Sequence, residues 1–251
     1  MKHYVLVGAT SAMAQQCARL WSQGTGVRLT LLGRDMPKLQ AVADDLQVRS
    51  PQSVITPMLA DFVNAKGIDQ AVQACFALAP VDVALVAHGV LSDQNTCEQN
   101  LSDCEQSLQI NGLSPVLFAE AFARLMVQAG KGTGAGTIAV IGSVAGDRGR
   151  KSNYVYGAAK GLVDRYLQGL QHRLALTPVR VVRIKPGPTD TPMTADLKAQ
   201  GRRMASVEQV AQDIVRGVAR GQEVVYTPGI WRLIMWVVRH IPSRVFRHIS
   251  L

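Results

Sequence analysis

The feature that most constrains this chain is a repeated alternation of short, wholly apolar runs with longer segments of helical spacing. Tyr4-Val5-Leu6-Val7 and Val83-Ala84-Leu85-Val86 are apolar at every position. A strand with one buried face alternates apolar and polar side chains, so a continuous run demands cover on both faces, as in a parallel sheet between helices. The pattern predicts strands at 3–7, 27–32, 54–59, 81–87, 136–141, 179–184 and 223–226, with helices at 12–23, 36–48, 65–78 and 104–128. Such strand–helix–strand units predict an α/β fold: one doubly wound parallel sheet of about seven strands, helices on both faces, and ligand at the carboxyl ends of the strands. No linker divides the chain, and 1–251 reads as one domain with a basic amphipathic tail over about 229–251. The glycine-rich stretch 130–136 reads as a surface loop before a strand.

Composition narrows the class. Apolar residues make up 47% of the chain and charged residues 18%, which supplies a core and argues against disorder. Cys17, Cys75, Cys97 and Cys104 show no paired metal spacing and read as reduced structural thiols of a cytoplasmic protein, with no metal site. Met1-Lys2-His3 runs directly into a strand, so no signal peptide is expected, and no apolar run reaches the ~18 residues that span a bilayer. The net charge of +9 is uneven: from Leu197 onward nine Lys and Arg face three acids. No motif supports nucleic-acid binding.

The turn after the first strand is Gly8-Ala9-Thr10-Ser11-Ala12-Met13, opening a helix. Small residues there let backbone N–H groups and the helix N-terminus meet a pyrophosphate, although any tight strand–helix turn has a similar composition. The second strand ends Leu31-Leu32-Gly33-Arg34. Gly33 stands where an NAD enzyme carries a carboxylate for the ribose, and Arg34 offers a fork for a 2′-phosphate. The plainer reading is a solvated Arg34 with Asp35 capping the next helix. Asp61-Phe62, after the third strand, falls where an adenine would lie, or else Asp61 caps a helix beginning near Asn64.

Ser143 closes the fifth strand, and Tyr156 and Lys160 follow at i,i+4 within Tyr154-Val155-Tyr156-Gly157-Ala158-Ala159-Lys160. A helix puts the phenol and the ammonium on one face. A phenol titrating near 10 is a poor acid–base group at neutral pH, and a neighbouring ammonium stabilises its anion.

On these residues the sequence resembles the short-chain dehydrogenase/reductase family over essentially its whole length. The resemblance implies a Rossmann-type fold with Asn111, Ser143, Tyr156 and Lys160 as the catalytic set, Asn111 holding a water that links to the lysine. It also implies a cofactor lined by Gly8, Thr10, Ser11, Ala12, Met13, Arg34, Asp61, Phe62, Ala87, His88, Gly89, Tyr156, Lys160, Pro186, Gly187, Thr189 and Thr191, with Thr191 against the nicotinamide carboxamide and Lys160 on its ribose. Homo-oligomers are common in the family. Two departures touch the cofactor: Ala12 and Ala14 replace glycines, and Ala87-His88-Gly89 replaces Asn-Ala-Gly. His88 reads either as a donor to substrate or ribose, or as a structural histidine. With Gly89-Val90-Leu91-Ser92-Asp93-Gln94 and the basic tail, these departures are similar to one branch of the family, which includes the reductase that reduces a keto-sugar on a polyprenyl phosphate.

In the tail, Trp231, Ile234, Met235, Trp236, Val238, Ile241, Val245, Phe246 and Ile249 are interleaved with Arg232, Arg239, Arg244 and Arg247, and Pro242 divides two helices. This suits either a helix pair packed over the substrate pocket or a subunit contact, or an interfacial helix at the inner face of an anionic membrane. The expectation is an oxidoreductase preferring NADP(H) to NAD(H), acting on a small or lipid-linked carbonyl substrate. A non-catalytic nucleotide sensor or membrane-peripheral scaffold with the same fold is the alternative.

Overall fold

A computed structural model of the chain describes residues 1–129 and 136–249. The expected glycine-rich loop lies outside the described residues except for Gly136. The strands are β1 (His3–Val7), β2 (Arg28–Gly33), β3 (Val54–Leu59), β4 (Val83–Val86), β5 (Thr137–Ile141), β6 (Arg180–Pro186) and β7 (Val224–Thr227). They form one sheet, parallel throughout, in the order β3-β2-β1-β4-β5-β6-β7. Chain order reverses between β1 and β4, and that switch point opens a crevice at the carboxyl edge of a doubly wound, Rossmann-type sheet.

Helices α1 (Ala12–Trp21), α2 (Met36–Arg49) and α3 (Ala65–Leu78) connect the first four strands. Then come α4 (Gln94–Gln99), α5 (Leu101–Leu108), α6 (Ser114–Ala129), α7 (Tyr154–Leu174), α8 (Ala195–Ala199), α9 (Val207–Ala219), α10 (Ile230–His240) and α11 (Ser243–Phe246). Both sheet faces are covered, as the apolar runs require: Leu6, Leu29 and Leu85 pack with α1, α2 and α9, whereas Val5, Val7 and Val86 pack with α3, α6 and α7. Leu101–Ala129 is a helical run long and apolar enough to cross a membrane, but most of it is buried against the body. The helix expected at 104–128 is interrupted: a π turn, Gln109–Leu113, separates α5 from α6 and carries Asn111.

A buried ion cluster ties the end of β5 to the rest of the sheet. Lys185 on β6 sits 2.5 Å from Asp147 and 2.9 Å from Asp164 on α7, and Tyr226 Oη on β7 donates to Asp147 at 2.8 Å. Asp147 ends the 3₁₀ turn that follows Ser143, so this cluster fixes the backbone on which Ser143 stands.

The tail docks onto the body. Met235 of α10 is buried. The Arg148 guanidinium donates to the carbonyls of Val238 and Ile241 at 2.5 and 2.7 Å and lies 3.8 Å from the Phe246 ring centroid. Carbonyls at a helix C-terminus have no intrahelical donor, so a cation there satisfies them and complements the helix dipole.

Candidate active site

A cavity of about 890 Å³ opens at the carboxyl ends of β1, β2, β4, β5 and β6. Of the expected residues, Gly8, Thr10, Ser11, Ala12, Met13, Arg34, Phe62, Ala87, His88, Gly89, Ser143, Tyr156, Lys160, Pro186, Gly187, Thr189 and Thr191 all line it. Asp61 and Asn111 do not.

Gly8 has φ +80°, and a Cβ there would lie 2.7 Å from His88 Cβ, so both backbone angle and space exclude a side chain. The turn delivers Ser11 to the N-cap of α1, where its hydroxyl caps no backbone N–H of the helix. The first amides of α1 therefore meet the cavity uncapped, as an anion-binding helix N-terminus does. Ala12 lies in that wall, and Ala14, in place of a glycine, is fully buried in the core.

At the end of β2, a Cβ on Gly33 would meet Leu39 Cδ2 at 2.8 Å, so any side chain at this position would have to displace the Leu39 side chain of α2. Asp35 is engaged elsewhere: it caps α2 through Lys38 N at 3.0 Å and pairs with the Lys38 ammonium at 3.2 Å. Arg34 is exposed and forms no ion pair among the described residues. Asp61 is likewise committed to backbone, accepting from Val63 N at 2.9 Å and Asn64 N at 3.2 Å. It does not cap α3, whose N-cap is Asn64, accepting from Lys66 N at 2.9 Å; Asp61 instead braces the turn before that helix.

Burial raises the phenol pKa of Tyr156, and a hydrogen bond with Ser143 works against that rise. Ser143 Oγ also accepts from Ala145 N at 3.1 Å, which fixes its rotamer. The Lys160 ammonium lies over the Tyr156 ring, 5.7 Å from its centroid, and donates to Ile141 O at 3.3 Å. Burial brings its pKa down to about 8. The expectation that the ammonium lowers the phenol is corrected here: with Lys160 over the ring, desolvation of the phenol dominates and the net direction is upward.

Asn111 is fully buried in the π turn behind the cavity wall. Its Oδ1 accepts from Val90 N at 2.9 Å and its Nδ2 donates to Ser107 Oγ at 3.4 Å. A Cβ on Gly89 would lie 2.9 Å from Asn111 Oδ1 and 3.5 Å from Lys160 Nζ, so only glycine fits between these two side chains.

His88 resolves toward its structural reading on one nitrogen: Nε2 bonds Ser114 Oγ at 2.8 Å, and the ring packs against Phe62 and Phe118. Burial, with Lys160 and Arg34 adding to it, lowers its pKa to about 3, so the imidazole is neutral. Nδ1 is buried without a partner. On the far wall, Thr189 Oγ1 donates to Gly187 O at 3.0 Å, and Thr191 Oγ1 lies 3.2 Å from Thr194 Oγ1.

Among the wall residues that the sequence reading of the site did not include are Arg150, Arg202 and Trp231. Arg150 and Arg202 lie 52 positions apart with no local motif. Trp231 was visible only as part of an amphipathic tail, and it reaches the cavity because its indole lies against Gly187. Among the described residues no group of three or more His, Cys, Asp or Glu is placed to hold a metal ion.

Residues 2–202 match the short chain dehydrogenase family, and the chain belongs to it. It is an oxidoreductase of that family. An uncharacterised oxidoreductase in the mprA 5′ region of Streptomyces coelicolor is 31% identical over 246 residues, covering 98% of this chain and 94% of the relative. Among solved structures, a short-chain dehydrogenase from Sphingobium yanoikuyae in complex with NADPH superposes with a TM-score of 0.81 at 22% identity, covering 100% of this chain and 97% of the other. A short chain dehydrogenase from Burkholderia cenocepacia in complex with NADP gives 0.79 at 18%, covering 99% and 98%.

Proposed function

We propose that this chain interconverts a carbonyl and a secondary alcohol with NADP(H) as cofactor and Tyr156 as general acid/base. The observation that carries the reading is the meeting, in one cavity, of Ser143, Tyr156 and Lys160 with the uncapped N-terminus of α1. The residues present fit a dinucleotide. Gly8 and the first amides of α1 would receive the pyrophosphate, Arg34 a 2′-phosphate, Lys160 the ribose on the nicotinamide side and Thr191 the carboxamide. The NADPH and NADP held by the two structural neighbours support the preference for NADP(H), as does the absence of an acid at Gly33, where Leu39 occupies the space of a side chain.

Bound there, the nicotinamide supplies or accepts a hydride at the substrate carbon. In the reducing direction, Ser143 donates a hydrogen bond to the substrate oxygen, and Tyr156 Oη passes its proton to that oxygen. A phenol kept protonated by burial is the form this direction needs. The Lys160 ammonium steadies the phenolate that remains, and Asn111 holds the loop at Val90 and would hold a water leading to Lys160.

The tail favours an amphiphilic, lipid-linked substrate taken at the inner face of a membrane. One side of α10 brings Trp231 to the cavity, while Ile230, Leu233, Ile234, Trp236 and Val237 stand exposed, flanked by Arg232 and Arg239. A helix with an apolar stripe beside cations suits an anionic lipid surface.

Two measurements test this. NADPH and NADH are titrated into the protein by fluorescence; NADPH is expected to bind tighter, and binding of neither sinks the enzyme reading in favour of a non-catalytic scaffold. Sedimentation with anionic vesicles is expected for the wild type and lost in Leu233→Glu/Trp236→Glu; equal sedimentation of both removes the lipid-facing role.

A further inference from the structure

Six arginines have an acid for a partner among the described residues: Arg19 and Arg49 share Asp45, Arg124 pairs with Asp69, Arg173 with Glu120, Arg183 with Asp164, and Arg216 with Asp213. Arg150 and Arg202 form no ion pair among the described residues, yet both line the cavity. Arg150 is half-buried, and its Nε is fully enclosed with no hydrogen-bond partner. Three residues on, Asn153 Oδ1 is enclosed and unpartnered as well. The one carboxylate among the described lining residues, Glu105, pairs with neither arginine.

A guanidinium cannot escape burial by giving up its proton, because its pKa stays far above neutrality. A partly desolvated cation without a counter-charge is costly, and a second cation nearby adds to the cost. Both effects act on Arg150: burial first, then the charge of Arg202, push its pKa down. An anion bound at this corner would relieve both costs.

Position in the fold separates the pair from the cofactor end. Arg150 lies between Ser143 and Tyr156 in the chain, and Arg202 follows α8 beyond β6. Arg34 follows β2, which is separated from β5 and β6 by β1 and β4. The arginine pair therefore sits on the substrate side, where two forks match the oxygens of a phosphate or carboxylate.

We infer that the substrate carries an anionic group, a phosphate ester or a carboxylate, and that Arg150 and Arg202 clamp it while its carbonyl faces Tyr156. The inference rests on the reading of this cavity as the carbonyl-reductase site and names the class of substrate that it takes. The unpartnered Asn153 oxygen would accept from a hydroxyl of the same molecule.

Octyl phosphate, octanoate and octanol are titrated calorimetrically into protein saturated with NADP⁺, which keeps the probes from any 2′-phosphate pocket. At least one anionic probe is expected to bind roughly tenfold or more tighter than octanol, the scale of a charge-assisted hydrogen bond. Which anion wins separates a phosphate ester from a carboxylate. Arg150→Gln and Arg202→Gln are each expected to shrink the preference to less than about threefold. Arg150→Lys, which keeps the charge, retains part of it and reports on folding. Equal affinity for the three probes, or a preference unchanged in both Gln variants, overturns the inference. Ketone reduction with NADPH reports separately on the underlying reading. A protein that reduces ketones without preferring anions loses only the clamp, and one that prefers anions but reduces no ketone with NADPH loses only the reductase assignment.

Discussion

The indole of Trp231 lies directly against the backbone of Gly187: a Cβ built on Gly187 would fall 1.9 Å from Trp231 Nε1. The residue after β6 and the first turn of α10 are thus one packing unit, and it forms a wall of the cavity. Gly187 is glycine because the tail helix occupies the place of its side chain.

Gly187→Ala is therefore expected to destabilise the fold by about 1–3 kcal/mol, the cost of overpacking a closed contact. It should also weaken NADPH binding by displacing the wall. Trp231→Ala in the same chain should restore most of the stability, since the clash goes with the indole. Urea unfolding of the two single variants and the double variant checks this; additive losses would mean that the two residues do not couple.

Arg34→Ala is expected to weaken NADPH far more than NADH. A 2′-phosphate contact is present with one cofactor and absent with the other, so its loss costs roughly tenfold or more with NADPH alone. Equal losses with both cofactors, read by fluorescence titration, would contradict the phosphate assignment.

His88 makes stability sensitive to acid. Its pKa in the fold is about 3, below the ordinary value near 6.5, so between those pH values the unfolded chain binds a proton that the folded chain does not. Stability is expected to fall as pH drops from about 6.5 towards 3, by at most about 1.4 kcal/mol for each pH unit. His3 is shifted in the same direction by its own burial and supplies a further part of the slope. His88→Asn should flatten the dependence of melting temperature on pH without abolishing it. An unchanged slope would mean that the imidazole accepts its proton without unfolding.

Much of this fold is legible in local sequence. The run at 3–7 matches β1 residue for residue, because a strand buried between helices leaves a nearly unbroken apolar signature, and 54–59 matches β3 although that edge strand is only partly covered and carries Thr56 and Pro57. Pro242 ends α10 where expected, since a proline cannot continue a helix. The i,i+4 spacing of Tyr156 and Lys160 placed both in one cavity wall, because both lie on α7. The π turn at Asn111 was not legible, since one extra residue in a helical turn leaves the apolar spacing on either side intact. Nor was the reason for Gly8, which lies 80 positions away in His88, nor the meeting of Arg150 and Arg202 in one cavity wall. Contacts between distant segments have no period to read.

The central claim is that Tyr156 moves the proton, and Tyr156→Phe tests it with one atom. The ring remains under the Lys160 ammonium, while the hydroxyl and its transferable proton are lost. NADPH consumption on a ketone that the wild type reduces is expected to fall by roughly 10²–10⁴-fold, the scale of general acid catalysis, with NADPH affinity within about twofold of wild type. Turnover close to the wild-type rate would contradict the account and place the proton donor elsewhere in the cavity.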